Sequence, residues 1–152
     1  MANTYSQIYI QVVFAVAGRL NLIEKSWKDE LYKYITGIIK NNDQKLIVIG
    51  GVENHIHILI GLKPNIALSD LVRDIKANSS RFINEKRFVK GKFSWQEGFG
   101  AFSYSQSQLD DVIRYIENQE EHHKKYSFKD EYLKFLKKYE VDYNEKYLFD
   151  FE

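Results

Sequence analysis

Apolar and polar positions divide the chain into segments of two periods. Residues 5–17, YSQIYIQVVFAVA, alternate and then run continuously apolar, which predicts a central strand ended by Gly18 and Arg19. Over residues 24–41, Trp27, Leu31, Tyr34, Ile35, Ile38 and Ile39 recur at helical spacing, with Ser26 as a candidate cap. Asn41, Asn42 and Asp43 supply a turn. Residues 45–52, KLIVIGGV, and 55–62, HIHILIGL, read as two strands of a hairpin turning at Glu53-Asn54. A helix starting at Ser69 carries Leu71, Val72, Ile75, Phe82 and Ile83 on one side. Residues 93–104, FSWQEGFGAFSY, are strand-like but interrupted by Gly98 and Gly100. Ser105 or Ser107 then caps a long helix from about 108 to 125, and residues 128–138 form a short last helix.

The order β-α-β-β-α-β-α, with one extra helix, predicts an α+β fold. It is the ferredoxin-like (RRM-like) split βαβ pattern: an antiparallel sheet with helices on one face, plus a C-terminal helix that bears Tyr115. Residues 1–138 make one domain and 139–152 an acidic tail. Such an architecture hosts many functions, so function must be read from particular residues.

Composition narrows the chemistry. The 152 residues are 44% hydrophobic and 28% charged, an ordinary globular mix that excludes disorder and collagen-like structure. Cysteine is absent, which excludes disulfides, thiolate zinc sites and a cysteine nucleophile. No apolar run reaches membrane-spanning length, and MANTYSQ lacks the basic and apolar regions of a signal peptide, so a soluble, cytoplasmic protein is expected. The net charge of +1 hides an asymmetry. The tail 139–152 carries a net −4 and the other 138 residues +5. Lys86, Arg87, Lys90 and Lys92 put four cations in seven residues without an anion, which suits phosphate contacts or simply a solvated loop.

Two features carry chemistry. In His55-Ile56-His57 the strand alternation points both imidazoles to one face, with Cβ atoms about 7 Å apart. They can share a metal ion, while Ile56, Ile58 and Ile60 anchor the opposite face. Two solvated histidines on an open sheet face would show the same pattern. In the 108–125 helix, Tyr115 and Gln119 sit beside the stripe of Leu109, Val112, Ile113 and Ile116, and His122 continues their line. The Tyr115 hydroxyl can reach a neighbouring cleft or merely pack. The Gln119 amide oxygen is a fair third ligand: two imidazoles plus an amide oxygen suit Mg²⁺ or Mn²⁺, and imidazole alone would also suit Zn²⁺. His122 and His123 can equally complement a helix dipole.

These residues resemble a known family. His55-Ile56-His57 is similar to the His-hydrophobic-His motif of HUH nucleases. VIRYIENQEEHH, residues 112–123, resembles the Tyr-x-x-x-Gln-x-x-His-His segment of the single-tyrosine transposases of the smallest insertion sequences, whose kin are the REP-associated tyrosine transposases. VVFAVAGR, GGVENHIHILIGL, DIKANSSRFIN and WQEGFGAFSYSQS extend the resemblance to about residue 140.

The resemblance implies a DNA transposase whose catalytic domain is residues 1–138. It nicks and rejoins single-stranded DNA beside hairpins at the element's ends through a 5′-phosphotyrosine. It implies Tyr115 as nucleophile, His55, His57 and Gln119 as ligands of Mg²⁺ or Mn²⁺, and a homodimer in which the tyrosine helix of one subunit can complete the other's site. Gly98 and Gly100 would let that helix swing. Many relatives have Asp where Asn54 stands, and a Lys near Ala17.

Candidate DNA contacts are Arg19, Arg73, Lys76, Arg81, Lys86, Arg87, Lys90 and Lys92, with Asn78, Ser79 and Ser80 as phosphate donors or solvated residues. Covalent linkage conserves the phosphodiester bond energy, in keeping with the lack of a GxxxxGK[ST] phosphate loop. Two other classes remain open at this level: a non-catalytic RRM-like module binding single-stranded nucleic acid, and a metal phosphohydrolase using water.

Overall fold

The computed structural model describes residues 3–144. Four strands, β1 (Tyr9–Ala15), β2 (Lys45–Val52), β3 (His55–Gly61) and β4 (Gly100–Tyr104), form one antiparallel sheet in the order β2-β3-β1-β4. That order is compatible with the split βαβ pattern expected from the sequence. The helices are α1 (Lys25–Asn41), α2 (Leu68–Lys86), α3 (Leu109–Glu117), the single turn α4 (Gln119–His122) and α5 (Phe128–Lys138).

Strand alternation builds two cores from one sheet. Val12 and Phe14 of β1 and Ile56, Ile58 and Ile60 of β3 point to one face, where α1 and α2 cover them with Leu31, Ile35, Leu71 and Ile75. Val13, Ala15 and Phe102 point the other way and meet Phe128 and Leu136 of α5. Leu59, also on that side, meets Val112 and Ile116 of α3. The second face is therefore covered by the tyrosine helix and α5, and His55 and His57 are 0% exposed between them. The alternative of solvated histidines on an open face is overturned.

Several boundaries move, each for a visible reason. The first strand is shorter than 5–17, with residues 3–7 exposed before it. The expected strand 93–104 pairs regularly only from Gly100, apart from a lone bridge between Val16 and Trp95. Side chains of α2 replace strand pairing before that point. The Asn84 amide takes both the N–H and the carbonyl of Phe93 (2.7 and 3.0 Å), and Trp95 Nε1 donates to Ser79 Oγ (2.9 Å). Ser79 is thus a buried acceptor rather than a phosphate donor.

Helix ends shift as well. Glu24, not Ser26, stands at the start of α1, and α2 starts at Leu68 behind Ala67. Ser105, rather than Ser107, caps the short turn Gln106–Gln108, its N–H donating to Gln108 Oε1 (2.9 Å). The long helix expected over 108–125 is broken at Asn118, whose ψ of 23° ends α3 before α4 begins. The last helix, 128–138, is where the periodicity places it. Of the acidic tail, Glu145, Lys146, Asp150 and Glu152 lie outside the described residues.

Two glycines set how closely helices approach the sheet. Gly100 faces Tyr132 of α5, whose ring a Cβ would meet at 2.8 Å. It seats a helix; nothing in its surroundings marks it as a hinge for α3. Gly50 pairs with His57 across the β2–β3 ladder, and a Cβ there would lie 2.4 Å from the Ile116 carbonyl oxygen. The missing side chain lets α3 press on the sheet at Ile116, next to Tyr115. Gly50→Ala should cost about 1–3 kcal/mol by overpacking and push α3 outward. Urea denaturation checks the first effect, and loss of activity with the variant still folded checks the second.

Candidate active site

Between α3, α5 and the sheet, five polar side chains converge. His55 and His57 come from β3, Gln119 and His123 from the segment behind Asn118, and Glu131 from the buried face of α5. The Nε2 atoms of His55, His57 and His123 lie 3.3, 3.1 and 3.2 Å from Glu131 Oε1. Gln119 Oε1 lies 3.2 Å from His55 Nε2 and 3.0 Å from His123 Nε2. The other carboxylate oxygen, Glu131 Oε2, accepts the Tyr115 hydroxyl and stands 3.3 Å from His122 Nε2.

The outer contacts fix the proton positions. His55 Nδ1 faces Asn54 Oδ1 (2.7 Å), His57 Nδ1 faces Gln11 Oε1 (2.6 Å), and His123 Nδ1 faces the Tyr126 carbonyl (2.7 Å). Each partner is an acceptor, so each ring donates from Nδ1, and a neutral ring then turns an Nε2 lone pair inward. Gln11 is held in turn by donating to the Tyr104 hydroxyl (2.6 Å), and Gln119 by donating to the Tyr115 carbonyl (3.3 Å). Three imidazole lone pairs, a carboxylate oxygen and an amide oxygen then point at one another, which is repulsive unless a cation sits among them. The ligand atoms of His55, His57, His123 and Glu131 all lie within 4.8 Å of one another, and this group is able to hold a metal ion.

Electrostatics agree. Burial pulls the His55 imidazole down to about 4 against the opposing pull of Glu131, so it is neutral. Burial works to raise the Glu131 carboxyl; positive charge at His123, His55 and His57, carried by protons on those rings or by an ion among them, holds it below the usual carboxylate range. An ionised, buried carboxylate beside a neutral imidazole calls for positive charge from elsewhere. Burial first, and then the Glu131 charge, push the Tyr115 phenol well above its ordinary value near 10.

The His55 value has a consequence for the ion-free chain. The unfolded chain takes up this proton near pH 6.5 and the folded chain only near pH 4. Stability should therefore fall as pH drops from 6.5 to about 4, by about 3 kcal/mol for this residue. Denaturant titrations at pH 7, 5.5 and 4 in chelator measure it.

The structure brings Tyr115, His55, His57 and Gln119 together within one chain; the Tyr115 and His57 rings are 5.8 Å apart. Within the chain the tyrosine helix lies beside its own histidines, and the resemblance also allows that helix to be exchanged between subunits. The expected cations are elsewhere. Arg73, Lys76, Arg81, Lys86 and Arg87 belong to α2 and its end, across the sheet from Tyr115, and Lys90 and Lys92 lie in the loop behind it. Arg73 pairs with Asp70, Lys76 donates to the carbonyls of Gln96 and Gly98, Arg81 donates to Asn78, and Arg19 sits in the turn after β1.

The sequence did not single out Glu131, Lys134 or Lys138. The lysines line a cleft of about 630 Å³ beside Tyr115, together with Tyr104, Gln108 and Tyr126. The one available signal was Glu131 on the apolar side of α5, between Phe128 and Phe135.

A family model described as "Transposase IS200 like" matches residues 4–119. The chain belongs to the IS200-like transposase family. Among curated proteins no sequence matches this transposase significantly. Solved structures are similar in fold. A protein described as a candidate transposase, from Deinococcus radiodurans R1, is 20% identical with a TM-score of 0.63, over 77% of this chain and 94% of that one. A REP-associated tyrosine transposase bound to a REP hairpin is 14% identical with a TM-score of 0.57, over 75% of this chain and 67% of that one. The transposase has no helix, among its described residues, long and apolar enough to cross a membrane.

Proposed function

We propose that this transposase nicks and rejoins single-stranded DNA at insertion-sequence ends through a 5′-phosphotyrosine on Tyr115, and that it recognises a hairpin there. The observation that carries the reading is the Tyr115 hydroxyl lying in one pocket with the inward-facing Nε2 atoms of His55 and His57. The structural neighbour that binds a REP hairpin supports the hairpin. Two copies, one on each end of the element, make up the homodimer.

The chemistry follows from the residues. The Tyr115 oxygen attacks the scissile phosphorus; a Tyr–O–P bond forms and the P–O3′ bond breaks. The phenol gives up a proton and the departing 3′ oxygen gains one. Joining reverses these steps with a second 3′-hydroxyl, so no nucleotide cofactor is consumed. His55 and His57, with Gln119, would hold Mg²⁺ or Mn²⁺, which when bound supplies Lewis-acid stabilisation of charge on the phosphate. Packing of the Tyr115 ring against His57, His122 and Phe135 orients the nucleophile before DNA arrives. Lys134 and Lys138 supply positive charge on the cleft wall where the strand reaches Tyr115.

The test is a denaturing gel of the full chain incubated with Mn²⁺ and single-stranded DNA from the flanks of its own gene. A protein–DNA adduct that survives denaturant is expected. Free phosphate ends without an adduct would point to water as nucleophile. Binding indifferent to divalent ions and to His55 and His57 would point to a non-catalytic module.

A further inference from the structure

The tyrosine-and-histidine site accounts for residues up to Gln119, where the family match ends. Glu131 lies beyond it, on α5, and its side chain is 1% exposed. The apolar face of this helix packs Phe128, Leu136 and the rings of Tyr132 and Phe135 against the sheet. A carboxylate in the middle of that face is costly unless something positive meets it.

Two explanations compete. A carboxylate kept only to dock α5 would collect N–H donors. The three imidazoles around Glu131 spend their Nδ1–H groups on Asn54, Gln11 and the Tyr126 carbonyl, and present lone pairs instead. The two carboxylate oxygens also divide their work. Oε1 faces the Nε2 atoms of His55, His57 and His123, whereas Oε2 holds the Tyr115 hydroxyl. One rigid three-atom group thus joins the ion-binding atoms to the nucleophile.

We propose that Glu131 is both a ligand of the divalent ion and the positioning residue that fixes the Tyr115 oxygen relative to it, so that α5 is part of the catalytic apparatus. The proposal rests on the nicking reading for its Tyr115 half; its ion half stands apart from activity. It also sets the His55, His57 and His123 imidazoles and a carboxylate beside the Gln119 amide oxygen, a donor set that favours Mn²⁺ over Mg²⁺.

The experiment compares wild type, Glu131→Gln and Glu131→Asp as full chains. Mn²⁺ affinity is read by calorimetry without DNA, and adduct formation is timed at saturating Mn²⁺. Glu131→Gln should weaken Mn²⁺ binding on the order of 10–100-fold. With Mn²⁺ saturating, it should still slow adduct formation by about 100-fold, the scale of a 1 Å misplacement. Glu131→Asp keeps the charge on a shorter arm; it should recover part of the affinity but not the rate, and it serves if the amide variant fails to fold.

Unchanged Mn²⁺ affinity in Glu131→Gln, with a lower unfolding midpoint in chelator, would make Glu131 a docking residue and overturn the proposal. A wild-type rate in that variant at saturating Mn²⁺ would overturn its positioning half. If wild type itself forms no adduct, the nicking reading fails, and the affinity comparison still decides whether Glu131 is a ligand.

Discussion

Tyr115→Phe should abolish the covalent protein–DNA adduct, a loss on the order of 10⁴-fold or more, while hairpin binding stays within a few-fold of wild type. The substitution removes a single oxygen. The ring contacts with His57, His122 and Phe135, at centroid distances of 5.8, 5.2 and 5.8 Å, are available to phenylalanine as well. Glu131 Oε2 loses its phenol donor but keeps His122 at 3.3 Å, a cost of about 1–3 kcal/mol that the fold can bear. Loss of adduct by a folded, DNA-binding variant therefore reports on the nucleophile and not on the scaffold. An adduct that persists in the phenylalanine variant would remove Tyr115 from that role, and peptide mapping of the adduct would show which side chain replaces it.

Much of this arrangement was legible in the residues themselves. The period-2 pattern of HIHILIGL placed His55 and His57 on one face and three isoleucines on the other, which is how β3 lies. The 3.6 period of 109–116 placed Tyr115 beside the buried stripe of α3. Local patterns failed where a single side chain outcompeted periodicity. Asn84 captured the backbone of Phe93, and the strand expected there became a loop. Asn118 ended a helix whose pattern continues past it, and the i,i+4 pair Gln119 and His123 follows in the next turn.

Glu131 was out of reach for a different reason. Its meaning depends on α5 folding back over β1 and β3, and nothing in the eleven residues of that helix encodes which face of the sheet it will cover. The basic residues are a separate case. Lys76 looks like a phosphate contact by composition, yet it binds two carbonyls on the far side of the sheet.

Adding Mn²⁺ should raise the unfolding midpoint by about 5–10 °C, and chelator should reverse it. The size follows from linkage: an ion at 100 times its dissociation constant that binds only the folded chain stabilises by about 2.7 kcal/mol. A domain of this length shifts by roughly 2–4 °C for each kcal/mol. The donors come from β3, the turn after α3, and α5, so only the packed chain assembles them. His57→Ala should abolish the shift, because it removes the one donor tied to both Gln11 and Glu131. The ion effect should also shrink as pH falls toward the His55 value of about 4, where protons compete for the same Nε2 lone pair. A midpoint indifferent to Mn²⁺ at neutral pH would mean that the three imidazoles and Glu131 satisfy one another by sharing protons. The cation invoked to quiet their repulsion would then be unnecessary, and the phosphate would have to find its positive charge in Lys134 and Lys138 instead.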